Sequence, residues 1–404
     1  MKPLTTVEEA TRLVREAIYP LDSELVPLAE TAGRILREPL RADRDLPPYD
    51  RVMMDGYAMC SASWIDGQRS YRLSGEQPAG SVGAQLASSQ DCMEVATGAV
   101  LPEGSDVVLP VEWSEQKDGN IVFKAPDDIR VDPWLYVHRR GSDHSAGTDL
   151  VPIGSRLCPA EVAIAATCGY PQLKTSRRPK VAILGTGEEL VPVEEAPASY
   201  QIRESNVHAL AAFCLEEGLL TPETAHSPDD PLALRDVVER LTESADMLIF
   251  TGGVSKGRKD YLPGVLEECR FEKIFHGVSQ TPGKPMWFGK MSDGPIAFGL
   301  PGNPVSAVVG FVRYAKLALW ALQGFPDRPQ PFAELADSVD FVPAFTRFLP
   351  VRLEEKSSGI RRALPRPPKN SGDLAALVGT DGFVELPAEK ETFPTGYPAA
   401  FFPW

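Results

Sequence analysis

The sequence lacks the patterns that mark disulfide-stabilised, zinc-binding and membrane-spanning proteins. Its six cysteines lie far apart with no C-x-x-C pair, and its five histidines show no H-E-x-x-H spacing. No uninterrupted apolar run approaches the roughly 20 residues that a helix needs to cross a bilayer, and the first residues do not resemble a signal peptide. We therefore expect a cytoplasmic protein with free thiols, without a structural zinc site and without a membrane partner.

The chain also has no excess of basic residues. Its 41 Lys and Arg against 56 Asp and Glu leave a net charge of −15, and this field repels the phosphate backbone of nucleic acids. The composition therefore argues against a general DNA- or RNA-binding protein. An anionic small molecule could still bind where backbone amides, a few Lys or Arg, or a metal ion overcome the repulsion locally.

The pattern of short elements changes along the chain. Helical spacing is predicted for residues 7–17, with Thr6 as N-cap and Glu9 at the capping-box position, and also for residues 27–36 and 159–168. Short β-rich runs lie between Gly, Pro and Asp turns from about residue 50 to 139. Because helical stretches flank this β region, we expect the flanks to form one discontinuous domain.

The second half of the chain alternates apolar strands with helical stretches. The predicted strands 181–184, 247–250 and 296–300 precede the predicted helices 206–217, 261–269 and 305–322, an order that indicates a parallel sheet covered by helices. Beyond residue 325, strands such as 346–353, 383–386 and 399–402 indicate a terminal β domain. The predicted domains are a helical domain at 1–48 and 140–178, a β-rich insertion at 49–139, an α/β domain at 179–325 and a β domain at 326–404.

Glycine-rich loops follow the three predicted α/β strands, at residues 185–189, 251–257 and 301–304. In a parallel sheet these loops lie at the same edge and lead into helix N-termini, whose free amides favour anions. Each loop alone is typical of an ordinary turn, but three together predict a ligand cleft. None has the P-loop or the G-x-G-x-x-G pattern, which argues against a P-loop ATPase and a Rossmann dehydrogenase.

Charged residues near these loops have two interpretations. Glu188, Glu189, Asp260 and the pair Asp229-Asp230 suit Mg²⁺ bound together with a phosphate, but Asp229 could instead cap the helix from Pro231 and Asp260 the one from Tyr261. Lys284, between two prolines, could provide positive charge at a fixed backbone angle or be a surface lysine. The segment at residues 49–58, which contains Asp55, is predicted to be a hairpin.

Taken together, these motifs resemble the molybdopterin molybdenumtransferase family, which is related to the E domain of gephyrin. The resemblance covers nearly the whole chain. It rests on MDGYA at 54–58, ATGA at 96–99, PEGSD at 102–106, GSD at 141–143, PAE at 159–161, TGEEL at 186–190, IRESN at 202–206, GGVS at 252–255, PGKP at 282–285 and GLPGNPVSA at 299–307.

The resemblance implies an α/β multidomain fold. It combines a three-layer α/β molybdopterin-binding domain, a discontinuous helical domain, a β-rich insertion and a C-terminal β-barrel-like domain. It also implies an elongated homodimer, in which the α/β domain of one subunit and the insertion of the other form the active cleft. The implied reaction inserts molybdate into adenylated molybdopterin and releases AMP in a Mg²⁺-dependent cleavage.

The resemblance also implies roles for individual residues. The implied catalytic acids are Asp55, Glu189, Asp230 and Asp260, of which the last three are the implied metal ligands. The implied substrate-binding residues are Thr97, Gly98, Asp143, Thr186, Gly187, Gly252, Gly253, Val254, Ser255, Gly257, Pro282, Gly283, Lys284, Pro301, Gly302, Asn303 and Pro304.

Several positions depart from the family pattern. Val52 stands where the family usually has Ser, Arg258 where it has an acid, and Thr281 where it has Lys. Gly185 and Glu188 replace the usual Ser and Asp. These changes leave open an alternative, a non-catalytic paralogue that binds molybdopterin or a partner protein through the same scaffold. The residues also leave open whether the oxyanion is molybdate or tungstate, because the two ions have nearly equal size and charge.

Overall fold

The computed structural model describes residues 4–126, 129–255, 260–326, 329–342, 345–355 and 359–404. The predicted site residue Gly257 and the departing residue Arg258 lie outside these ranges. The first helix, α1 (Val7–Ala17), begins as predicted, because the Thr6 side chain accepts a hydrogen bond from the backbone N–H of Glu9. Its buried face packs into the core of the α/β region.

The helix predicted for residues 27–36 is wrong. The chain instead forms strand β1 (Ser23–Pro27), one 3₁₀ turn (Leu28–Glu30) and then extended backbone up to β2 (Leu40–Arg41). Gly33 adopts a φ of 80°, and the adjacent residues Ile35 and Leu36 are both buried and form isolated bridges to different partners. The left-handed conformation of Gly33 and the bridges of Ile35 to Arg156 and of Leu36 to Thr175 show that this backbone pairs with other segments and does not form a helix.

The β-rich insertion is built on one mixed sheet of six strands, in the order β7-β4-β6-β5-β9-β8. Its elements are β3 (Arg51–Val52), β4 (Gly56–Met59), α2 (Ser61–Ile65), β5 (Ser70–Gln77), β6 (Asp91–Val95), β7 (Val107–Pro110), a 3₁₀ turn (Val111–Trp113), β8 (Ser114–Lys117), β9 (Asn120–Phe123) and β10 (Val137–His138). The predicted hairpin at residues 49–58 is wrong, because β3 pairs with β10 whereas β4 pairs with β6 and β7.

The chain then returns to the first flank through β11 (Asp149–Val151), α3 (Pro159–Thr167) and β12 (Gln172–Ser176). β11 pairs with β2 and β12 pairs with β1, both antiparallel. The two flanks, which the insertion separates in the sequence, therefore pair with each other in the fold. Strand pairs, with α3 packed beside them, make up much of this region, which is therefore less helical than its sequence indicates. The domain boundaries at 48, 139, 178 and 325 remain predictions.

The α/β region has a six-stranded sheet in the order β16-β13-β17-β21-β20-β18. The first four strands are parallel, as predicted, and the last two are antiparallel. Its elements are β13 (Val181–Thr186), β14 (Leu190–Val191), β15 (Ile202–Arg203), α4 (Asn206–Glu216), β16 (Glu223–Ser227), α5 (Pro231–Thr242), β17 (Met247–Thr251), α6 (Leu262–Glu268), β18 (Glu272–His276), β19 (Gln280–Thr281), β20 (Trp287–Lys290), β21 (Ile296–Leu300), α7 (Pro304–Gly310), a π-helical segment (Phe311–Ala315) and α8 (Lys316–Gln323).

Helices cover both faces of this sheet, which confirms the three-layer prediction. Val181 and Ile183 of β13 pack with α1, α4, α7 and α8, whereas Ala182 and Leu184 face α5 and α6. The continuous helix Pro304–Gln323 is long and apolar enough to cross a membrane by composition, but 83% of its apolar window is buried inside the protein. The burial identifies it as a core helix.

The C-terminal region forms a closed five-stranded barrel in the order β24-β25-β22-β28-β26, with β26 pairing back to β24. The predicted β-barrel-like domain is therefore confirmed. β19 of the α/β region adds to β24 and joins the two regions next to Lys284. The elements are β22 (Phe332–Leu335), β23 (Val339–Asp340), β24 (Thr346–Glu355), β25 (Arg361–Pro365), a 3₁₀ turn (Leu374–Leu377), β26 (Gly382–Leu386), β27 (Thr392–Phe393) and β28 (Pro398–Pro403).

Candidate active site

The three glycine-rich loops gather into one cleft of about 570 Å³ at the C-terminal ends of β13, β17 and β21. The cleft also receives residues from β15 and the start of α4, and Gly372 from the C-terminal region. The predicted site residues that line it are Thr186, Gly187, Glu189, Gly252, Gly253, Val254, Ser255, Asp260, Pro301, Gly302, Asn303 and Pro304.

Close backbone contacts hold these loops together. Gly252 has a φ of 95°, and a Cβ atom on it would lie 2.7 Å from the backbone oxygen of Thr186. The N–H of Gly252 donates to the carbonyl of Leu300 at 3.0 Å, and the side-chain amide of Asn206 donates to the carbonyl of Gly302 at 2.8 Å. Glycine at position 252 is therefore required by both backbone conformation and space.

The carboxylates of Glu189, Asp229 and Asp260 lie on the wall of this cleft. Asp230 is not among the lining residues, because its side chain accepts a hydrogen bond from the N–H of Ala233 at 2.9 Å and caps α5. The two neighbours therefore exchange their expected roles. Asp230, which was expected in the cleft, caps α5, and Asp229, which was expected to cap the helix, lines the cleft. Helix α6 is preceded by Tyr261, which has helical dihedral angles and forms no side-chain cap hydrogen bond, and Asp260 lies one residue further out, on the cleft.

Lys284 and its neighbours Pro282 and Gly283 line a second cavity, of about 450 Å³. This cavity shares Pro285, Pro301 and Asn303 with the cleft and extends to the C-terminal barrel. The polar and charged residues that line this cavity are Gln280, Thr281, Lys284, Asn303, Ser306, Arg347, Asn370 and Ser371. Lys284 is therefore exposed, as the surface-lysine interpretation expects, and also forms part of a cavity wall.

The two cations of this second cavity are held against aromatic rings. The Lys284 Nζ lies 5.2 Å from the ring centre of Phe345, and the Arg347 guanidinium lies 4.7 Å from that of Phe341. Burial lowers the pKa of Arg347 from its ordinary value, which reflects the cost of a charge in this environment. An anion in the cavity would offset that cost.

Asp55 lies elsewhere, in a cavity of about 390 Å³ on the β-rich insertion. Its Oδ1 accepts hydrogen bonds from the backbone N–H of Thr97 at 2.7 Å and from the Thr97 hydroxyl at 2.8 Å. These two bonds hold the pKa of Asp55 below its ordinary value, so the exposed carboxylate stays ionised. Gly98 follows with a φ of 84° and donates its N–H to the carbonyl of Val52.

Asp143 likewise lies outside the cleft. His138 Nε2 lies 2.7 Å from Asp143 Oδ1, and the Arg51 guanidinium lies 3.0 Å from His138 Nδ1. Because a guanidinium can only donate, Nδ1 accepts from Arg51 and Nε2 carries the proton that it donates to Asp143. Paired strands β3 and β10 place Arg51 directly opposite His138.

Sequence reasoning missed several residues of these cavities, among them Glu204, Asn206 and Arg347. Glu204 and Asn206 belong to the IRESN segment that carried the resemblance, but no role was predicted for them. Burial raises the pKa of Glu204, and His226 and His208 partly oppose this shift. Arg347 is in a barrel strand far from Lys284 in sequence, so only the fold brings the two cations into one cavity.

Comparison with protein families assigns the whole of this architecture to one lineage. Three family models match in order, the "MoeA N-terminal region (domain I and II)" at residues 5–169, the "Probable molybdopterin binding domain" at residues 182–319 and the "MoeA C-terminal region (domain IV)" at residues 333–404. The second of these matches contains all of the glycine-rich loops of the cleft.

Individual proteins show the same similarity. A molybdopterin molybdenumtransferase of Synechocystis is 36% identical over 377 residues, which are 92% of this chain and 93% of the relative. One of Staphylococcus aureus is 28% identical over 403 residues, which are 98% and 94% of the two chains. The crystal structure of the molybdopterin biosynthesis MoeA protein of Pyrococcus horikoshii superposes with a TM-score of 0.82 at 26% identity and covers 100% of both chains. The chain therefore belongs to the molybdopterin molybdenumtransferase family of enzymes, also called MoeA.

Proposed function

We propose that the protein inserts molybdenum into molybdopterin, with adenylated molybdopterin and molybdate as substrates and with Mg²⁺-dependent release of AMP. The observation that carries the proposal is a pair of adjoining cavities with different chemistry. One is a cleft of glycine-rich loops with carboxylates on its wall, and the other contains Lys284 and Arg347. Pro285, Pro301 and Asn303 line both cavities, so an organic phosphate and an inorganic oxyanion can bind next to each other.

We assign the phosphate groups of the substrate to the loops that follow β13 and β17. Gly252 and Gly253 keep side chains away from the backbone there, and the hydroxyl group of Ser255 can donate to phosphate oxygens. The long helix Pro304–Gln323 begins at the cleft, so its positive dipole end also favours an anion. These local features counter the net charge of −15.

Mg²⁺ fits the donor set of the cleft as an ion that binds together with the substrate. Magnesium is commonly held by one or two carboxylates and by substrate phosphates. Within the described ranges, no cluster of three or more His, Cys, Asp or Glu side chains could hold an ion by itself. We propose Glu189 and Asp260 as ligands, with Asp229 in place of Asp230. When bound, the ion supplies a Lewis acid for charge that develops on phosphate oxygens.

We assign molybdate to the second cavity. Lys284 and Arg347 supply positive charge, and the hydroxyl groups of Ser306 and Ser371 supply further donors to oxyanion oxygens. The prolines on either side of the Gly283-Lys284 dipeptide restrict its backbone and so reduce the entropy lost when the oxyanion is bound. Tungstate is a competing ligand for the same residues, because its size and charge are nearly equal.

We further propose a homodimer in which the insertion of a second copy brings Asp55 to the cleft. Asp55 lines a separate cavity in its own subunit, yet its carboxylate is ionised and held by Thr97 in the manner of a preorganised group. Asp143, oriented by His138, would enter the shared site from the same neighbouring region. This arrangement explains how acids outside the cleft can act on a substrate within it.

The test is to incubate the purified protein with adenylated molybdopterin, Mg²⁺ and molybdate and to measure AMP and cofactor formation. We expect AMP release that requires Mg²⁺ and falls by about tenfold or more in Asp260→Asn, because a charged ligand is lost. Lys284→Ala should raise the molybdate concentration needed for half-maximal rate. Binding of the substrate without AMP release would instead support the non-catalytic alternative.

A further inference from the structure

Glu204 is an acid of the cleft to which the proposed reaction assigns no role. It lies between β15 and the first turn of α4, and its backbone N–H donates to the carbonyl of Val191 at 3.0 Å, which fixes its main chain. Its Oε1 atom is buried and, among the described residues, has no hydrogen-bond partner. A buried carboxylate oxygen without a donor is unfavourable, so this residue is suited to a ligand that supplies one.

The end of strand β13 is shaped to accept this carboxylate. A Cβ atom on Gly185 would overlap Glu204 Oε1 and lie 2.8 Å from the Cδ atom of Glu204. Any side chain at position 185 would therefore displace the carboxylate from its present place. Gly185 pairs in register with His226 of β16 on one side and with Thr251 of β17 on the other. The Glu204 carboxylate therefore lies beside an inner strand of the sheet, close to the C-terminal ends of the parallel strands, where ligands bind.

We propose that Glu204 determines specificity for the pterin part of the substrate by accepting hydrogen bonds from its 2-amino-pyrimidinone edge. This inference rests on the function proposed above. The edge of a pterin presents a ring N–H and an amino group side by side, and these two parallel donors match the two oxygens of a carboxylate. Rotation about the last side-chain torsion of Glu204, which is soft, presents both oxygens to the ligand.

The other parts of the substrate fit Glu204 less well. The adenine edge alternates an amino donor with a ring acceptor, so it would place a lone pair against one carboxylate oxygen. A metal ion is the other ligand that could complete this carboxylate, and the response of the variants to Mg²⁺ distinguishes it from the pterin. Burial raises the pKa of Glu204, and His226 and His208 partly oppose this shift, so hydrogen-bond donors of a bound ligand would further favour the ionised carboxylate.

The test compares two probes, a pterin and the lumazine with the same ring substituents, in which a carbonyl replaces the 2-amino group. Binding to the full-length protein is measured by calorimetry or by quenching of ligand fluorescence. We expect the wild-type protein to prefer the pterin by about tenfold or more, because lumazine turns one donor into an acceptor. Glu204→Gln should reduce pterin affinity and bring the preference to one or below, because the amide has one acceptor and one donor, which match the adjacent N–H and carbonyl of lumazine.

A second pair of variants separates the proposed contact from general damage. Gly185→Ala should weaken pterin binding to about the same extent as Glu204→Gln, because the new Cβ displaces the carboxylate. Adding Glu204→Asp, which is shorter by one methylene, should restore part of the preference in the Gly185→Ala background. Glu194→Gln, an exposed glutamate on a nearby loop, is the matched control and should keep the wild-type preference.

The outcomes distinguish this inference from the proposed function. Equal affinity of the wild-type protein for both probes, or an unchanged preference in Glu204→Gln with a native circular dichroism spectrum, overturns the inference even if AMP is released. A Glu204-dependent pterin preference without AMP release supports the inference and counts against the reaction. A Glu204→Gln variant that loses its response to Mg²⁺ alone but keeps the preference would make Glu204 a metal ligand and overturn the inference.

Discussion

Asp229 and Asp230 are neighbours in the sequence, but the fold gives their carboxylates different surroundings. Asp230 caps α5 through the N–H of Ala233, whereas Asp229 lines the cleft. The sequence could not show which of the two aspartates caps α5, because a shift of the helix start by one residue would exchange the capping residue and the cleft residue. The distinction depends on where β16 ends and α5 begins, which tertiary packing decides.

The two aspartates therefore provide a test at the level of one side chain. Asn is as good an N-cap as Asp, so Asp230→Asn should keep α5 intact and change AMP release by less than about twofold. Asp229→Asn should lower AMP release by about tenfold or more and raise the Mg²⁺ concentration required, because it removes a proposed anionic ligand. Titrating Mg²⁺ in the AMP assay checks both, and the reverse order of effects would restore the metal role to Asp230.

Residues that act through the tertiary fold were beyond prediction. Lys284 was recognised because two prolines flank it. Arg347 stands in a barrel strand without any such local signal and reaches the same cavity through the pairing of β19 with β24. Glu204 gave no signal of its own. The space that Gly185 leaves for its carboxylate, and the absence of a partner for its Oε1 among the described residues, both depend on the fold. Burial and hydrogen-bond satisfaction are properties of the packed protein, not of local sequence.

At the level of elements, the central parallel strands were predictable because they are buried on both faces. β13, β17 and β21 have continuous apolar runs, and β21 has the same bounds as the prediction. The outer strand β16, with the sequence ETAHS, has only one buried residue and no apolar run, so it was missed. The antiparallel strands β18 and β20 were missed as well. The ligand edge was predictable because it depends on the central strands alone.

The loops at this edge make a separate prediction about stability. Gly252→Ala should reduce the free energy of unfolding by about 2 kcal/mol or more, because the backbone has a positive φ and the new Cβ would approach Thr186 too closely. Gly264→Ala is the matched control. It lies in α6 with no atom within 4 Å of an added Cβ, so the change should be neutral or stabilising by up to about 1 kcal/mol. Denaturant unfolding followed by circular dichroism measures both, and equal destabilisation would contradict the role of Gly252.

At the level of the whole molecule, the site depends on regions that are distant in sequence. The α/β region forms most of the cleft, the C-terminal barrel completes the cavity that contains Lys284, and the insertion holds Asp55. The net charge of −15 gives no long-range attraction for an anionic substrate, so binding depends on local cations, amides and a metal ion. In the proposed homodimer, assembly of two copies is the remaining condition for Asp55 to participate.

Subunit mixing tests this assembly directly. Asp55→Asn and Asp260→Asn should each be nearly inactive, because each removes an acid from every site of a homodimer. Coexpression of the two variants should restore about a quarter of wild-type AMP release, because half of the randomly formed dimers are mixed and each of these has one site with both acids intact. Size-exclusion chromatography checks that the dimer persists. No recovery in proven mixed dimers would mean that Asp55 and Asp260 act within the same subunit, since a mixed dimer then lacks any complete site.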